Sequence, residues 1–119
     1  PHPLYLKSDG SVWATGSNSD GQLGDGTTTD RSNPVQVKNS DGTGLSGVVG
    51  ISAGDYHTVY LKSDGSVWAT GMNTRGNLGD GTTTDRNSTV QVVDTNGTGL
   101  RAVVGSVGKE GNSRYLQSD

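Results

Sequence analysis

The chain is built from an internal repeat of 55 residues. Aligned with itself at that offset, residues 1–64 match residues 56–119 without a gap, and 38 of the 64 pairs are identical. The letters YLKSDGSVWATG occur twice, and so do the letters LGDGTTTDR. Such a period predicts an array of similar units that bury their cores against one another. We therefore expect one repeat module over 1–119, with a first unit at 1–55, a second at 56–110 and the start of a third at 111–119.

Each unit contains a predicted β-hairpin. In the second unit, residues 58–62 are rich in β-formers, an Asp-Gly turn follows, and residues 66–70 return as a second strand. This pairing would place Trp68 opposite Tyr60. Because Trp13 recurs at the same strand position in the first unit, the two tryptophans indicate packing rather than platforms for stacking sugars.

Two further strands complete the predicted unit. The apolar segment 48–53 predicts a strand that is buried on both faces, and the segment 90–93 predicts an outer, half-exposed strand. Four strands in a unit of this length are typical of a propeller blade. The fold class that we predict is therefore all-β, with two four-stranded β-propeller-type blades.

The longest loop of the second unit, at 73–87, is rich in Gly, Thr, Asp and Asn. Loops of this length are uncommon unless they are functional or internally packed. Leu78, and Leu23 in the first unit, are expected to pin their loops onto the sheets. The polar side chains of this loop in both units are candidate contacts for a protein partner: Asp20, Gln22, Asp25, Asp30, Arg31, Arg75, Asn77, Asp80, Asp85 and Arg86. Positions that differ between the units suit partner-specific contacts, although neutral drift produces the same pattern.

The composition excludes several other classes. The chain has no Cys, which excludes disulfides, thiolate metal sites and a Cys nucleophile. A net charge of −3 offers no concentrated cationic patch, so no nucleic-acid partner is expected. No apolar run approaches the roughly 18 residues that a membrane helix needs, so no membrane partner is expected. An apolar fraction of 28% is thin for one core, which indicates blades that share their core with neighbours.

The repeat resembles that of the regulator of chromosome condensation family. The residues between positions 49 and 81 that fall on the family pattern are Ala53, Gly54, His57, Asp64, Gly65, Val67, Gly71, Asn73, Gly76, Leu78, Gly79 and Gly81. The resemblance implies a β-propeller, usually of seven blades, that serves as an interaction surface. The Thr-rich LGDGTTTDR segment is similar to bacterial, often cell-surface members, which implies an extracellular or cell-surface location. The chain departs from the family pattern in two ways. Thr15 and Thr70 stand where the family often carries an aromatic residue, and the third unit matches the pattern poorly.

No catalytic site is expected. His57 follows Asp55 by two residues, so the two side chains would share one face of a strand. However, no Ser lies in an oxyanion motif such as G-x-S-x-G. The recurrence of a His at His2 favours a structural role for His57, with its ring hydrogen-bonded to backbone in the blade interior. The chain also holds too few catalytic groups for an enzyme such as a propeller lyase.

No metal or cofactor is expected either. Asp20, Asp25 and Asp30 offer the oxygens that Ca²⁺ prefers, but Arg75 replaces Asp20 in the second unit and brings a cation to the same place. Turns and side-chain caps explain these Asp and Gly residues more simply. The glycines lack the Lys-Ser/Thr ending of a phosphate-binding loop.

The function that we predict is a non-catalytic scaffold for protein–protein interaction or self-assembly. The alternative, an exchange-type regulator of a small GTPase, is implied only by the family resemblance. Two blades do not close a ring, so we expect either part of a longer propeller or copies that associate head to tail. The contacts would involve the strands at Val48 and Val103, and residues 114–116 could take the place of 4–6. We therefore predict that the chain is not a monomer at micromolar concentration.

Overall fold

The computed structural model describes residues 2–102, and in this range seven β-strands form two antiparallel sheets. The first sheet has the order β1-β2-β3, and the second has the order β4-β5-β6-β7. The strands are β1 (Leu4–Leu6), β2 (Val12–Gly16), β3 (Arg31–Gln36), β4 (Val48–Ala53), β5 (His57–Lys62), β6 (Val67–Gly71) and β7 (Arg86–Gln91). Within 2–102 no helix has the length and apolarity of a membrane span.

The predicted hairpin is confirmed in the second sheet. Strands β5 and β6 pair antiparallel, and Tyr60 lies directly opposite Trp68. The turn between them closes with a hydrogen bond of 2.9 Å from the Gly65 amide to the Lys62 carbonyl. Gly65 has a φ of +89°, a conformation that glycine adopts without a Cβ clash. The Asp-Gly turn was therefore readable from the sequence.

The two sheets differ in strand number. The second has the four predicted strands, whereas the first has three among the described residues. The predicted strand at Val103 and the third unit at 111–119 lie outside the described residues.

Two strand predictions are corrected. Strand β4 is not buried on both faces: it forms the edge of its sheet, and Val49 is 48% exposed. The outer strand β7 covers Arg86–Gln91 rather than 90–93. After Gln91 the backbone leaves the strand, and the amide of Val93 donates to the carbonyl of Gly79 in the long loop.

The main core lies where the first sheet meets the second. Its buried members are Val12, Ala14, Leu23, Val37, Leu45, Val48 and Tyr60. All except Tyr60 and Val48 come from the first sheet and its loops, and Tyr60 enters from β5 of the second sheet. We call this contact the junction. It shows that one unit completes its core with a side chain of the next.

Candidate interaction surface

The long loop of each unit is organised around one asparagine. Asn18 is fully buried, and its amide nitrogen donates at 3.0 Å to the carbonyls of Thr27 and Thr29. Its side-chain oxygen accepts the amide of Leu23 at 3.0 Å. Asn73 makes the same bonds in the second unit. The loop is thus internally packed, and its leucine is held under the sheet.

Six of the ten candidate partner contacts are used inside these loops. Arg31 pairs with Asp25 and Arg86 pairs with Asp80, each at 2.9 Å. Asp30 accepts the amide of Asn18, and Asp85 accepts the amide of Asn73, each at 2.8 Å. These groups hold the loop in shape.

The pKa of Asp25 shows the strength of these contacts. Burial alone would raise this pKa, but hydrogen bonds from Thr27, Arg31 and Asn18 favour the carboxylate, and the net direction is downward. Asp80 has the corresponding bonds and its pKa is lowered in the same way. Both loops therefore contain a stabilised carboxylate at neutral pH.

The other four candidates occupy the positions at which the loops differ. Arg75 and Asn77 are exposed, and Asp20 is half-buried. Gln22 is buried, and its side-chain oxygen accepts the amide of Asp20 at 2.9 Å. Arg75, Asn77 and Asp20 are the members of the candidate set that remain accessible and differ between the units.

The junction combines polar and apolar contacts. The carbonyl of Gln22 accepts the hydroxyl of Thr58 at 2.9 Å, and the hydroxyl of Thr70 lies 3.4 Å from the same carbonyl. Tyr60 is fully buried, and its hydroxyl is 3.0 Å from that of Thr70. Burial raises the pKa of Tyr60 to about 12, so its phenol stays neutral.

The two histidines occupy different environments. His2 is 5% exposed, and its Nε2 lies 2.7 Å from the hydroxyl of Thr58. Because that hydroxyl already donates to Gln22, it accepts from His2, which places the ring proton on Nε2. The buried Nδ1 then has no hydrogen-bond partner among residues 2–102. The half-buried ring of His57 packs against Gly54, and within 2–102 no hydrogen bond to that ring is found. The corresponding partner, one repeat after Thr58, lies outside the described residues.

Both tryptophans carry a lysine over the ring. The ammonium of Lys7 lies 5.4 Å from the centre of Trp13, and that of Lys62 lies 4.7 Å from the centre of Trp68. Trp68 also packs against the core at the junction, and its indole nitrogen donates to Ser66 at 2.8 Å. The lysines cover ring faces that a stacked sugar would need.

Metal-ligand geometry is not found in this part of the chain. Among residues 2–102 there is no group of three or more His, Cys, Asp or Glu side chains that could hold an ion. Asp25, the buried acid of the first loop, faces the guanidinium of Arg31 instead. The arrangement can bind protein surfaces through shape, hydrogen bonds and apolar area.

The sequence did not single out the residues of the junction. The pattern indicates Tyr60 only as a strand partner of Trp68, and it predicts no contact between units for Thr58 or His2. The signal was present in the repeat itself. Tyr5 occupies the same position as Tyr60 but is 46% exposed, so the repeat offset identifies a face that is covered in one unit and open in the other.

Comparison with curated proteins finds relatives that share part of their length with this chain. The ultraviolet-B receptor UVR8 of Arabidopsis thaliana is 40% identical over 86 residues, which cover 72% of this chain and 19% of the receptor. Human protein RCC2 is 41% identical over 86 residues, which cover 71% of this chain and 16% of that protein. The chain therefore spans less than a fifth of each relative.

Solved structures show the same fold. Human WBSCR16 matches 86% of this chain and 26% of its own, with a TM-score of 0.67 at 23% identity. Prp20p of Saccharomyces cerevisiae matches 80% of this chain and 24% of its own, with a TM-score of 0.61 at 18% identity. The two sheets are thus blades of a partial β-propeller.

Family models agree with the repeat pattern in the sequence. Two models of the regulator of chromosome condensation (RCC1) repeat match the chain, one at residues 9–61 and the other at residues 48–77. Together they cover residues 9–77, which contain β2 to β6 and the whole hairpin of β5 and β6. The chain belongs to the RCC1 repeat family.

Proposed function

We propose that this chain is a non-catalytic scaffold that binds protein, and that one of its partners is a second copy of itself. Family membership supports a protein-interaction or regulator role. The observation that carries the finer proposal is the contrast between Tyr60, which is fully buried at the junction, and Tyr5, which is 46% exposed. The same twelve letters surround both tyrosines.

The second unit repeats the apolar residues that surround Tyr60 in the first. Tyr60 packs in the core with Val12, Leu23, Val37 and Leu45 of the first unit. One repeat later the sequence has identical residues at Val67, Leu78, Val92 and Leu100. A second copy could therefore place its Tyr5 where the junction places Tyr60. Full burial of one such side chain contributes about 1.5–3 kcal/mol.

The edge of the first sheet supports the same docking. Strand β1 is an edge strand within the described residues, whereas its counterpart β5 is covered by β4. Exposed strand edges present unpaired amides and carbonyls that accept another strand. Leu6 on β1 is also 38% exposed. The second copy would thus meet backbone hydrogen-bonding groups as well as apolar side chains.

Contacts with other proteins are proposed for the accessible positions that differ between the loops, Asp20, Arg75 and Asn77. Prp20p of yeast is described by its binding properties to Gsp1p and histones. From Prp20p we carry over to this chain only that a propeller of this family binds proteins. The alternative, regulation of a small GTPase, rests on the family alone, and a nucleotide-release assay with candidate GTPases would test it.

Self-association can be measured by light scattering and sedimentation at micromolar concentration. We expect a mass above the 12.2 kDa of one chain, and we expect Tyr5→Ser to shift the population towards that value. Tyr56→Ser is the matched control, because Tyr56 is 52% exposed but has no aromatic counterpart in the repeat. A wild-type mass of one chain, or equal effects of the two substitutions, would refute the proposed docking.

A further inference from the structure

Two hairpins at the same place in the repeat have the same backbone. In the first, the amide of Asn39 donates to Thr43 at 2.7 Å and the amide of Gly42 donates to Asn39 at 3.0 Å. The hairpin at 94–99 repeats these bonds at 2.7 and 3.0 Å. The turn glycines have φ values of +88° at Gly42 and +79° at Gly97. The two turns therefore differ only in their side chains.

Those side chains exchange their roles. In the first hairpin the Asp41 carboxylate accepts both the amide and the hydroxyl of Thr43, at 3.0 and 2.6 Å. In the second, Asp94 accepts the amide of Thr98 at 3.0 Å and the amide of Asn96 at 2.9 Å. Asn96 is exposed, and among residues 2–102 no hydrogen bond to its side-chain amide is found. The side chain can therefore turn towards its own backbone.

We propose that Asn96 is a site of spontaneous deamidation. The backbone nitrogen of Gly97 loses its proton to solvent and attacks the side-chain carbonyl carbon of Asn96, and ammonia leaves to give a cyclic imide. Water then opens the ring. Attack of water at the side-chain carbonyl gives Asp, and attack at the main-chain carbonyl gives isoaspartate. The net change consumes one water, releases one ammonia and adds one negative charge.

The local structure favours this reaction in two ways. An added Cβ at Gly97 would meet nothing within 4 Å, so this exposed residue lies in open space where solvent can take up its amide proton. The product also suits the turn. Five other Asp-Gly-Ser/Thr turns of this chain carry Asp at the same position, and each carboxylate accepts the amide two residues later: Asp9, Asp25, Asp41, Asp64 and Asp80.

The hydrogen bond from the Gly97 amide to Asp94 has to open before the nitrogen can react. Because the turn is exposed, this opening needs no disruption of the core. The buried asparagines are the opposite case. Asn18 and Asn73 use both ends of their amides in hydrogen bonds and precede residues other than Gly. The sequence contains one Asn-Gly pair, at Asn96.

Incubation of the full chain in mildly alkaline buffer, followed by peptide mass mapping, tests the proposal. We expect the exchange of the amide for a carboxyl group, with release of ammonia, at Asn96 ahead of every other asparagine. A methyltransferase that labels isoaspartate should mark the same peptide. Gly97→Ala should slow the reaction about tenfold, which corresponds to about 1.4 kcal/mol in the barrier. An unchanged Asn96, or faster conversion at Asn18 or Asn73, would overturn the proposal.

The variant Asp41→Asn separates the dipeptide from the structure around it. It creates an Asn-Gly pair in the first hairpin, where the hydrogen bonds from Thr43 restrain the side chain. We expect position 41 to react more slowly than Asn96 in the same molecule. Equal rates at the two positions would show that the freed side chain of Asn96 has no effect, and would overturn the structural argument.

Discussion

Replacing Asn18 by Ala removes the three shortest hydrogen bonds of its side chain at once, each of 3.0 Å. Two run from its amide nitrogen to the carbonyls of Thr27 and Thr29, and one runs to its side-chain oxygen from the amide of Leu23. Leu23 is fully buried, so its amide would lose its partner away from water. Leaving such a group unsatisfied costs about 1–3 kcal/mol.

The two carbonyls lie in a more exposed part of the loop. Thr27 is half-buried and Thr29 is exposed, so water can replace the lost donor. Each of these bonds then contributes about 0.5–1.5 kcal/mol. The three contributions together predict that Asn18→Ala lowers the free energy of unfolding by about 2–6 kcal/mol. This loss is a large fraction of the stability of a small domain.

Urea unfolding followed by the fluorescence of Trp13 and Trp68 measures this change. Asn33→Ala is the matched control, because Asn33 is exposed on β3 and within 2–102 its side chain makes no hydrogen bond. The reasoning is refuted if Asn18→Ala stays within about 0.5 kcal/mol of the wild type, the range of ordinary surface substitutions.

A second substitution of Asn18 tests which end of the amide matters. Asn18→Asp keeps an oxygen for the amide of Leu23 but places a carboxylate where the amide nitrogen lies 3.2 Å from Asp25. Like charges at this distance repel. We expect this variant to be less stable than the wild type at neutral pH, with the difference narrowing in acid. An Asp variant as stable as the wild type at neutral pH would show that the hydrogen bonds donated by the Asn18 amide contribute nothing to stability.

Two further predictions concern backbone space and pH. Gly24→Ala should lower the free energy of unfolding in urea more than Gly26→Ala does. Both glycines have positive φ, so both variants carry the same backbone strain. A Cβ at Gly24 would also lie 2.9 Å from Val37, whereas one at Gly26 would meet nothing within 4 Å. Equal losses of stability in the two variants would show that Val37 moves aside without a cost in free energy. Burial lowers the pKa of His2. The folded chain therefore keeps His2 neutral, whereas the unfolded chain takes up a proton below the usual pKa of 6.5. The contribution of His2 to stability is therefore complete above pH 6.5 and declines as the pH falls towards the folded pKa. His2→Gln should remove this decline, and an unchanged pH profile in that variant would contradict the assignment.

The parts of the fold that the sequence predicts are local. An Asp-Gly turn between two β-rich segments specifies the hairpin of β5 and β6. The length of this turn sets the register, which pairs Tyr60 with Trp68. The outer strands are harder to predict because an edge strand can be polar. Strand β3 contains Pro34, which an edge strand tolerates because one side of it needs no hydrogen bonds.

The loop contacts depend on distances that the sequence pattern does not contain. The alternation of Asp and Asn in the first loop suits a calcium site as well as a set of turns. The structure places Arg31 on Asp25 and the Asn18 amide on two carbonyls, so the positive charge and the donors come from the chain itself. Composition alone cannot distinguish an ion from an arginine that lies several residues away.

The difference between Tyr5 and Tyr60 arises outside their own sequence, because identical letters surround both. What buries Tyr60 is the preceding unit, and one change limits how well a second copy could reproduce that contact. Thr58 bonds to both Gln22 and His2, but its counterpart is Pro3, which has no hydroxyl. Losing two such bonds forfeits about 0.5–1.5 kcal/mol for each. The proposed contact between copies should therefore be weaker than the junction within one chain, and it should dissociate on dilution before the chain unfolds.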